Sequence, residues 1–305
     1  MRHSVQLTYQ GRPLARPDEE VGDQGLGFDL RTLMDRRQLL RALGLGVTTL
    51  GLAGCGSGSD GSPPPPASAS APASALASAS AATSAAATGE IPDETAGPFP
   101  GDGSNGPDVL EQSGIVRSDI RAGFGGATRT AEGVPMTLEL TIQDLANGGR
   151  PFAGTAVYVW HCDREGRYSL YSEGVADQNY LRGLQVADAS GRVRFTSVFP
   201  GCYGGRWPHI HFEVYPDQAR VTDAGNAIAV SQVALPRDAC TKVYARPGYE
   251  ASVPNLSRVT LQNDNVFGDD AGARQLGAVS GDVATGYAVS LAVGIDTTTT
   301  PSGPR

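Results

Sequence analysis

No stretch after residue 90 keeps an apolar stripe at helical spacing for three turns, which sets aside a helix bundle for that part of the chain. No segment repeats at a fixed period, so a solenoid or propeller is excluded as well. No glycine-rich loop is placed to cradle a phosphate. Basic charge is in deficit: the formal net charge is −8 and the pI is near 5.0. The first 55 residues carry seven Arg and six Asp or Glu, leaving 17 basic and 26 acidic groups for the rest. A surface of that sign is a poor match for a polyphosphate, and no nucleic-acid partner is expected. Histidine is scarce too, with four in all. Three of them, His161, His209 and His211, fall after residue 90.

The longest apolar stretch, Ala42 to Gly54, is too short to cross a bilayer. It follows Met34-Asp35-Arg36-Arg37 and ends in Leu52-Ala53-Gly54-Cys55. Paired arginines, a short apolar region and small residues before a cleavage point read as a twin-arginine export signal over 34–55. The last four residues resemble a bacterial lipobox, in which the Cys takes acyl chains, so attachment to a membrane is expected only through lipid on Cys55. Export to the periplasm or cell surface follows from this reading. Signals of this kind begin near the initiator, so either Met34 is the true start and 1–33 is non-native, or 1–33 is a short leader. Residues 56–90 are almost wholly Ala, Ser, Pro and Gly, with four consecutive prolines at Pro63 to Pro66. Such a segment buries too little apolar surface to offset its ordering entropy and reads as a linker.

The remaining residues, 91–297 with a short tail at 298–305, suffice for one core of two packed sheets. Strands are predicted at Met136 to Ile142, Thr155 to His161, Arg192 to Val198, His209 to Tyr215, Ala227 to Val233, Val259 to Gln262 and Tyr287 to Ile295. Most alternate in character or are rich in β-branched and aromatic residues, and turns such as Asn147-Gly148-Gly149 and Ser190-Gly191 separate them. The fold class is all-β, a sandwich of mostly antiparallel sheets.

Chemistry concentrates in Gly201-Cys202-Tyr203-Gly204-Gly205-Arg206-Trp207-Pro208-His209-Ile210-His211. On a strand the period of two puts His209 and His211 on one face and Ile210 and Phe212 on the other. Two imidazoles on alternate positions make a ready chelate, with a phenol and a guanidinium just upstream. A bare His-x-His is more often just a pair of strand histidines. The neighbouring residues decide between these.

The run Tyr203-Gly204-Gly205-Arg206-Trp207-Pro208-His209-Ile210-His211 resembles the signature of the intradiol ring-cleavage dioxygenases. So does the strand and turn Val157-Tyr158-Val159-Trp160-His161 to Arg167-Tyr168-Ser169. Asp93-Glu94-Thr95-Ala96-Gly97-Pro98-Phe99 is similar to the family's opening turn, and Asn179 to Gly183, Asp188 to Gly191 and Phe195 to Gly201 are similar to its connecting segments.

The resemblance implies an intradiol dioxygenase-like β-sandwich and one non-haem Fe(III) per chain. Tyr168, Tyr203, His209 and His211 would be its ligands. It implies cleavage of a catechol-type ring by O2 between the two hydroxylated carbons, giving a muconate-type product with both oxygen atoms incorporated. Arg206 takes the position of an Arg that steadies the substrate anion, Tyr203 that of the phenolate exchanged for substrate, and Gln232 that of a Gln beyond the His-x-His strand. Phenolate suits a hard ferric ion, and a phenol of pKa near 10 gives up its proton to a metal. The family position matching His161 is not a ligand, so His161 reads as structural, with Tyr171 and Tyr180 as core or rim aromatics.

Cys162, Cys202 and Cys240 are an odd number for an exported protein, and one disulfide with one free thiol is expected. The sequence leaves the pairing among Cys162, Cys202 and Cys240 open; Cys202 with Cys240 is the favoured pair, since it would tie the loop after Gln232 to the Tyr203 turn. Two other functions compete: a non-catalytic, transthyretin-like binding module on the same fold, and a zinc hydrolase built on the His pair. The complete ligand set favours the enzyme over the first, and the want of a third conventional ligand counts against the second. The catechol and the oligomeric state stay open.

Overall fold

A computed structural model describes residues 86–300 and, as backbone only, two short strands near the N-terminus. Those strands, β1 (Thr8–Tyr9) and β2 (Arg12–Pro13), pair antiparallel in a stretch with no sequence period. The expected signal at 34–55, Cys55, and the linker up to residue 85 lie outside the described residues.

From residue 86 onward the chain builds two sheets. The first contains β3 (Pro135–Asp144), β4 (Arg150–Pro151), β7 (Arg192–Val198), β10 (Ala278–Asp282) and β11 (Gly286–Ile295). Strand β3 runs through its middle, parallel to β11 on one side and antiparallel to β7 and β4 on the other. The second sheet has the order β6-β5-β8-β9, from Arg182–Val186, Ala156–Trp160, His209–Tyr215 and Ala229–Ala234, all antiparallel. The all-β sandwich is therefore present.

One apolar cluster joins the facing sides of the sheets. Met136, Leu138, Leu140 and Ile142 come from β3, Val193 and Phe195 from β7, Val157 and Val159 from β5, and Ile210, Phe212 and Val214 from β8. Every second residue of each strand enters this layer, as the pleat requires, and each such side chain contributes about 1.5–3 kcal/mol by leaving water. Strand β8 is buried on both faces. Its other face, with His209, His211, Glu213 and Tyr215, lies beneath a second cluster containing Tyr158, Trp160, Tyr168 and Leu184, with Phe99 and Tyr203 against it. The histidine pair is thus set into a covered layer outside the main core.

Several expectations need correction. Val259 to Gln262 is not a strand: Val259 caps a helix at Ser252–Arg258, and the chain then turns. Thr260 takes a bond at its N–H to Asn263 Oδ1 (2.6 Å) and its Oγ1 accepts from Asn263 N (3.2 Å), so local turn bonding overrides β propensity. A second helix, Arg237–Tyr244, had no signal at three-turn length because it has only eight residues. Strands β6 and β10 were not anticipated, since Arg-Gly-Leu-Gln-Val and Ala-Val-Ser-Gly-Asp carry Gly and little alternation. The Cys202–Cys240 disulfide is also absent. All three cysteines are buried free thiols; Cys202 Sγ lies toward the Arg206 carbonyl (3.5 Å) and Cys240 Sγ toward that of Leu235 (3.9 Å).

Candidate metal centre

His209 and His211 project from the start of β8, where cross-strand pairing sets His211 opposite both Trp160 of β5 and Gln232 of β9. The Trp160 and His211 rings stack at 4.8 Å and 8°. His209 Nδ1–H donates to the Trp207 carbonyl at 2.5 Å, which turns its Nε2 lone pair outward. The two Nε2 atoms lie 3.0 Å apart. Burial, with Arg206 nearby, lowers the His209 pKa to about 3, and burial, with His209 nearby, holds that of His211 well below its ordinary value, so both rings are neutral donors.

Tyr168 arrives on a turn built around Asp163. Its Oδ1 accepts the Glu165 and Arg167 N–H groups, both at 3.0 Å, and its Oδ2 accepts Arg167 Nε and the Tyr180 hydroxyl. Ser172 Oγ accepts the Tyr168 N–H at 2.9 Å. Arg182, buried beneath, donates to Ser169 Oγ and Ser169 O and also to the carbonyls of Phe99 and Pro100. The Phe99 ring covers Tyr168 with centroids 4.9 Å apart. Tyr203 comes from the opposite side, on a turn held by Ser252 Oγ and Asn255 Nδ2 at either end of the Cys202 peptide. The Gly201 backbone passes so close that an added Cβ would stand 2.6 Å from the Arg164 carbonyl oxygen.

Four donor atoms therefore converge. Tyr168 Oη is 3.5 Å from Tyr203 Oη and 3.4 Å from His209 Nε2, and Tyr203 Oη is 3.3 Å from that same nitrogen. Four ligands at about 2.0–2.1 Å around one ion stand about 3.3–3.4 Å apart at a tetrahedral edge, so the spacing fits a single cation. The imidazole Nδ1 of His211 is buried without a hydrogen-bond partner. Desolvation raises both phenols, Tyr168 well above the usual range and Tyr203 to about 12, so a cation is what would stabilise their ionised form. Among the described residues no group of three or more His, Cys, Asp and Glu could hold a metal, so the conventional zinc set is confined to the two imidazoles.

The phenols differ in access: Tyr168 is buried and Tyr203 half-buried. Arg206 sits beside them and donates from Nη2 to Gln232 Oε1 at 2.6 Å and from Nε to Asp264 Oδ2 at 3.0 Å. Gln232 in turn donates to the Thr95 carbonyl at 3.1 Å. All six expected site residues thus fall in one connected region. His161 is apart from it, with Nε2 bonded to Ser197 Oγ and Nδ1 to the Cys162 carbonyl. The hydroxyl of Tyr180 goes to Asp163 and that of Tyr171 to Asn105. The sequence reading missed Trp160, Arg182 and Asp264 as parts of this assembly; none lies in a motif with ligand-type spacing.

Residues 105–214 match the family model described as Dioxygenase. This segment includes all four donors. The β chain of protocatechuate 3,4-dioxygenase from Burkholderia cepacia is 33% identical over 102 residues, 30% of this chain and 43% of that one. Catechol 1,2-dioxygenase from Pseudomonas sp. (strain EST1001) is 34% identical over 94 residues, 31% of this chain and 28% of that one. Over this segment the chain is similar to intradiol dioxygenases. It spans less than half the length of these curated relatives. The intradiol ring-cleavage dioxygenase of Tetranychus urticae shares the fold, with TM-score 0.54 and 22% identity over 69% of this chain and 96% of that one.

Proposed function

We propose that this chain is an intradiol-type dioxygenase, a non-haem Fe(III) enzyme that cleaves a catechol-type ring with O2 between its hydroxylated carbons, giving a muconate-type product. The observation that carries the reading is the convergence of two phenol oxygens and two imidazole nitrogens with separations of 3.0–3.5 Å. Two anionic oxygen donors favour a hard trivalent ion, and similarity to the protocatechuate and catechol dioxygenases above supplies the substrate class.

Tyr168, Tyr203, His209 and His211 would hold the ion. When bound, iron supplies the redox chemistry that lets an aromatic diol react with O2. The chain's own residues do the rest. Tyr203, the more accessible phenol, accepts at its Oη a proton released by the incoming diol. Arg206 keeps its charge at any working pH and sets a guanidinium beside the developing oxyanion. Gln232 holds Arg206 Nη2 and is itself held by Thr95. Phe99 and Trp160 cover the donors and exclude water from that side.

The same proposal places the protein outside the cytoplasm, exported through Arg36 and Arg37 and lipid-anchored at Cys55. Changing both arginines to Lys should retain the precursor in the cytoplasm, and Cys55→Ser should move mature protein from membrane to soluble fraction. Activity is tested by incubating iron-loaded protein with a panel of catechols and following oxygen uptake with product mass. One O2 consumed per ring opened, with both atoms in a muconate-type product, is expected. Binding of catechols without oxygen uptake by any of them would favour the binding module instead.

A further inference from the structure

Asp264 lies outside every motif yet accepts four hydrogen bonds beside the site. It is buried, on the turn that follows the Ser252–Arg258 helix. Its Oδ1 accepts the N–H groups of Val266 at 2.9 Å and Phe267 at 3.0 Å. Its Oδ2 accepts Arg206 Nε at 3.0 Å and the Trp207 N–H at 2.6 Å. One carboxylate therefore ties its own turn to the segment leading into the histidine strand and to the Arg206 guanidinium. Arg206 is held at two of its three nitrogens, Nε by Asp264 and Nη2 by Gln232, and Nη1 makes no hydrogen bond to a described residue. Phe267, on the Asp264 turn, lies 5.9 Å from the Arg206 guanidinium carbon and 6.4 Å from the His209 ring.

We propose that Asp264 is the positioning residue for Arg206, fixing the guanidinium so that Nη1 is the nitrogen presented to the substrate oxyanion. This rests on the role given to Arg206 above. A flexible guanidinium could meet an anion in many poses, and a group misplaced by about 1 Å can cost a hundredfold in rate. Holding two nitrogens by fixed acceptors leaves the third one direction. A carboxylate is required because four donors point at two oxygens. An amide offers one acceptor oxygen and turns its NH2 against either the Arg206 and Trp207 pair or the Val266 and Phe267 pair.

The test compares Asp264→Asn, Arg206→Ala and the double variant in the full chain. Asp264→Asn should retain iron and the visible spectrum of the parent. Its kcat should fall by roughly tenfold to a hundredfold, with KM changed much less. In the Arg206→Ala background the same change should have less than about a twofold further effect, because the residue it positions is gone. A full loss persisting in that background would show that Asp264 acts on the fold and would overturn the proposal. Should Asp264→Asn fail to fold, Asp264→Glu keeps the charge while displacing both acceptors, and the same dependence on Arg206 is expected of it.

A second readout needs neither iron nor turnover. Phenylglyoxal should modify Arg206 in the metal-free protein severalfold faster once Asp264 is Asn, as read by peptide mass. An unchanged rate would contradict the positioning role even if catechols are cleaved. A faster rate in a protein that cleaves no catechol would uphold the contact and overturn the function instead.

Discussion

His211 and Trp160 are direct cross-strand partners whose rings lie nearly parallel, 4.8 Å apart. The plane of the His211 ring, a proposed metal donor, is thus held by the neighbouring strand. Trp160→Ala should lower stability by about 3–5 kcal/mol, the usual cost of emptying a buried aromatic site. Trp160→Phe keeps a ring against His211 and should cost about 1–3 kcal/mol from lost volume. Denaturant unfolding of both, with metal affinity measured on each folded variant, checks this; affinity should fall in the Ala variant and stay near the parent's in the Phe variant.

Arg182 supplies a second expectation. Its guanidinium donates to Phe99 O, Pro100 O, Ser169 Oγ, Ser169 O and Tyr158 Oη, joining the Tyr168 turn to the segment covering it. Arg182→Met fills much of the volume but leaves those acceptors buried and unpaired, at about 1–3 kcal/mol for each one that water cannot reach. Thermal unfolding should show a loss of several degrees or more, and Arg182→Lys, with its three donors on one atom, should restore only part of it.

Glu94 predicts a pH dependence. Burial, reinforced by Asp269 and Asp270 and opposed by Gln275 and Arg206, pushes its carboxyl from the ordinary 4.5 up to about 7. The folded state then binds this proton more tightly than the unfolded chain, so stability should fall as pH rises from about 4.5 to about 7. Solvent contact reduces the effect to about 1–2 kcal/mol. Unfolding midpoints across that range should show the fall in the parent and a shallower one in Glu94→Gln, with the variant the more stable above pH 7.

The fold was legible where burial imposes alternation. Strands β7 and β8 run from Arg192 to Val198 and from His209 to Tyr215, the bounds their patterns predict, because each puts every second residue into the inter-sheet layer. The Arg182–Val186 strand and the Arg237–Tyr244 helix were not, since a Gly and a two-turn length leave no period to detect. The convergence of Tyr168, Tyr203, His209 and His211 was legible because two lie on one strand and the others on motif turns. Trp160, Arg182 and Asp264 act through pairing and packing with distant segments: Arg206 and Asp264 are 58 positions apart. No local pattern encodes such a contact. The thiols show the converse: an odd set of cysteines behind a segment that reads as an export signal suggests a bridge, yet Cys162, Cys202 and Cys240 are all buried as free thiols.

The two phenols should respond differently to removal. Tyr168 is fully buried among Phe99, Tyr203 and His209, so Tyr168→Phe takes away a donor that nothing from solvent replaces well, and iron retention should drop. Tyr203 is half-exposed, and in Tyr203→Phe water can take its place, so iron should remain while turnover falls at the step that accepts the substrate proton. Equal iron loss in both variants would remove the distinction.

The central claim, a ferric centre held by Tyr168, Tyr203, His209 and His211, is tested most directly by metal analysis of the purified chain together with its visible spectrum. The account predicts about one iron per chain and a red to burgundy colour from phenolate-to-metal charge transfer, shifting when a catechol is added without oxygen. Stoichiometric zinc, or a protein replete with iron and colourless, would contradict it.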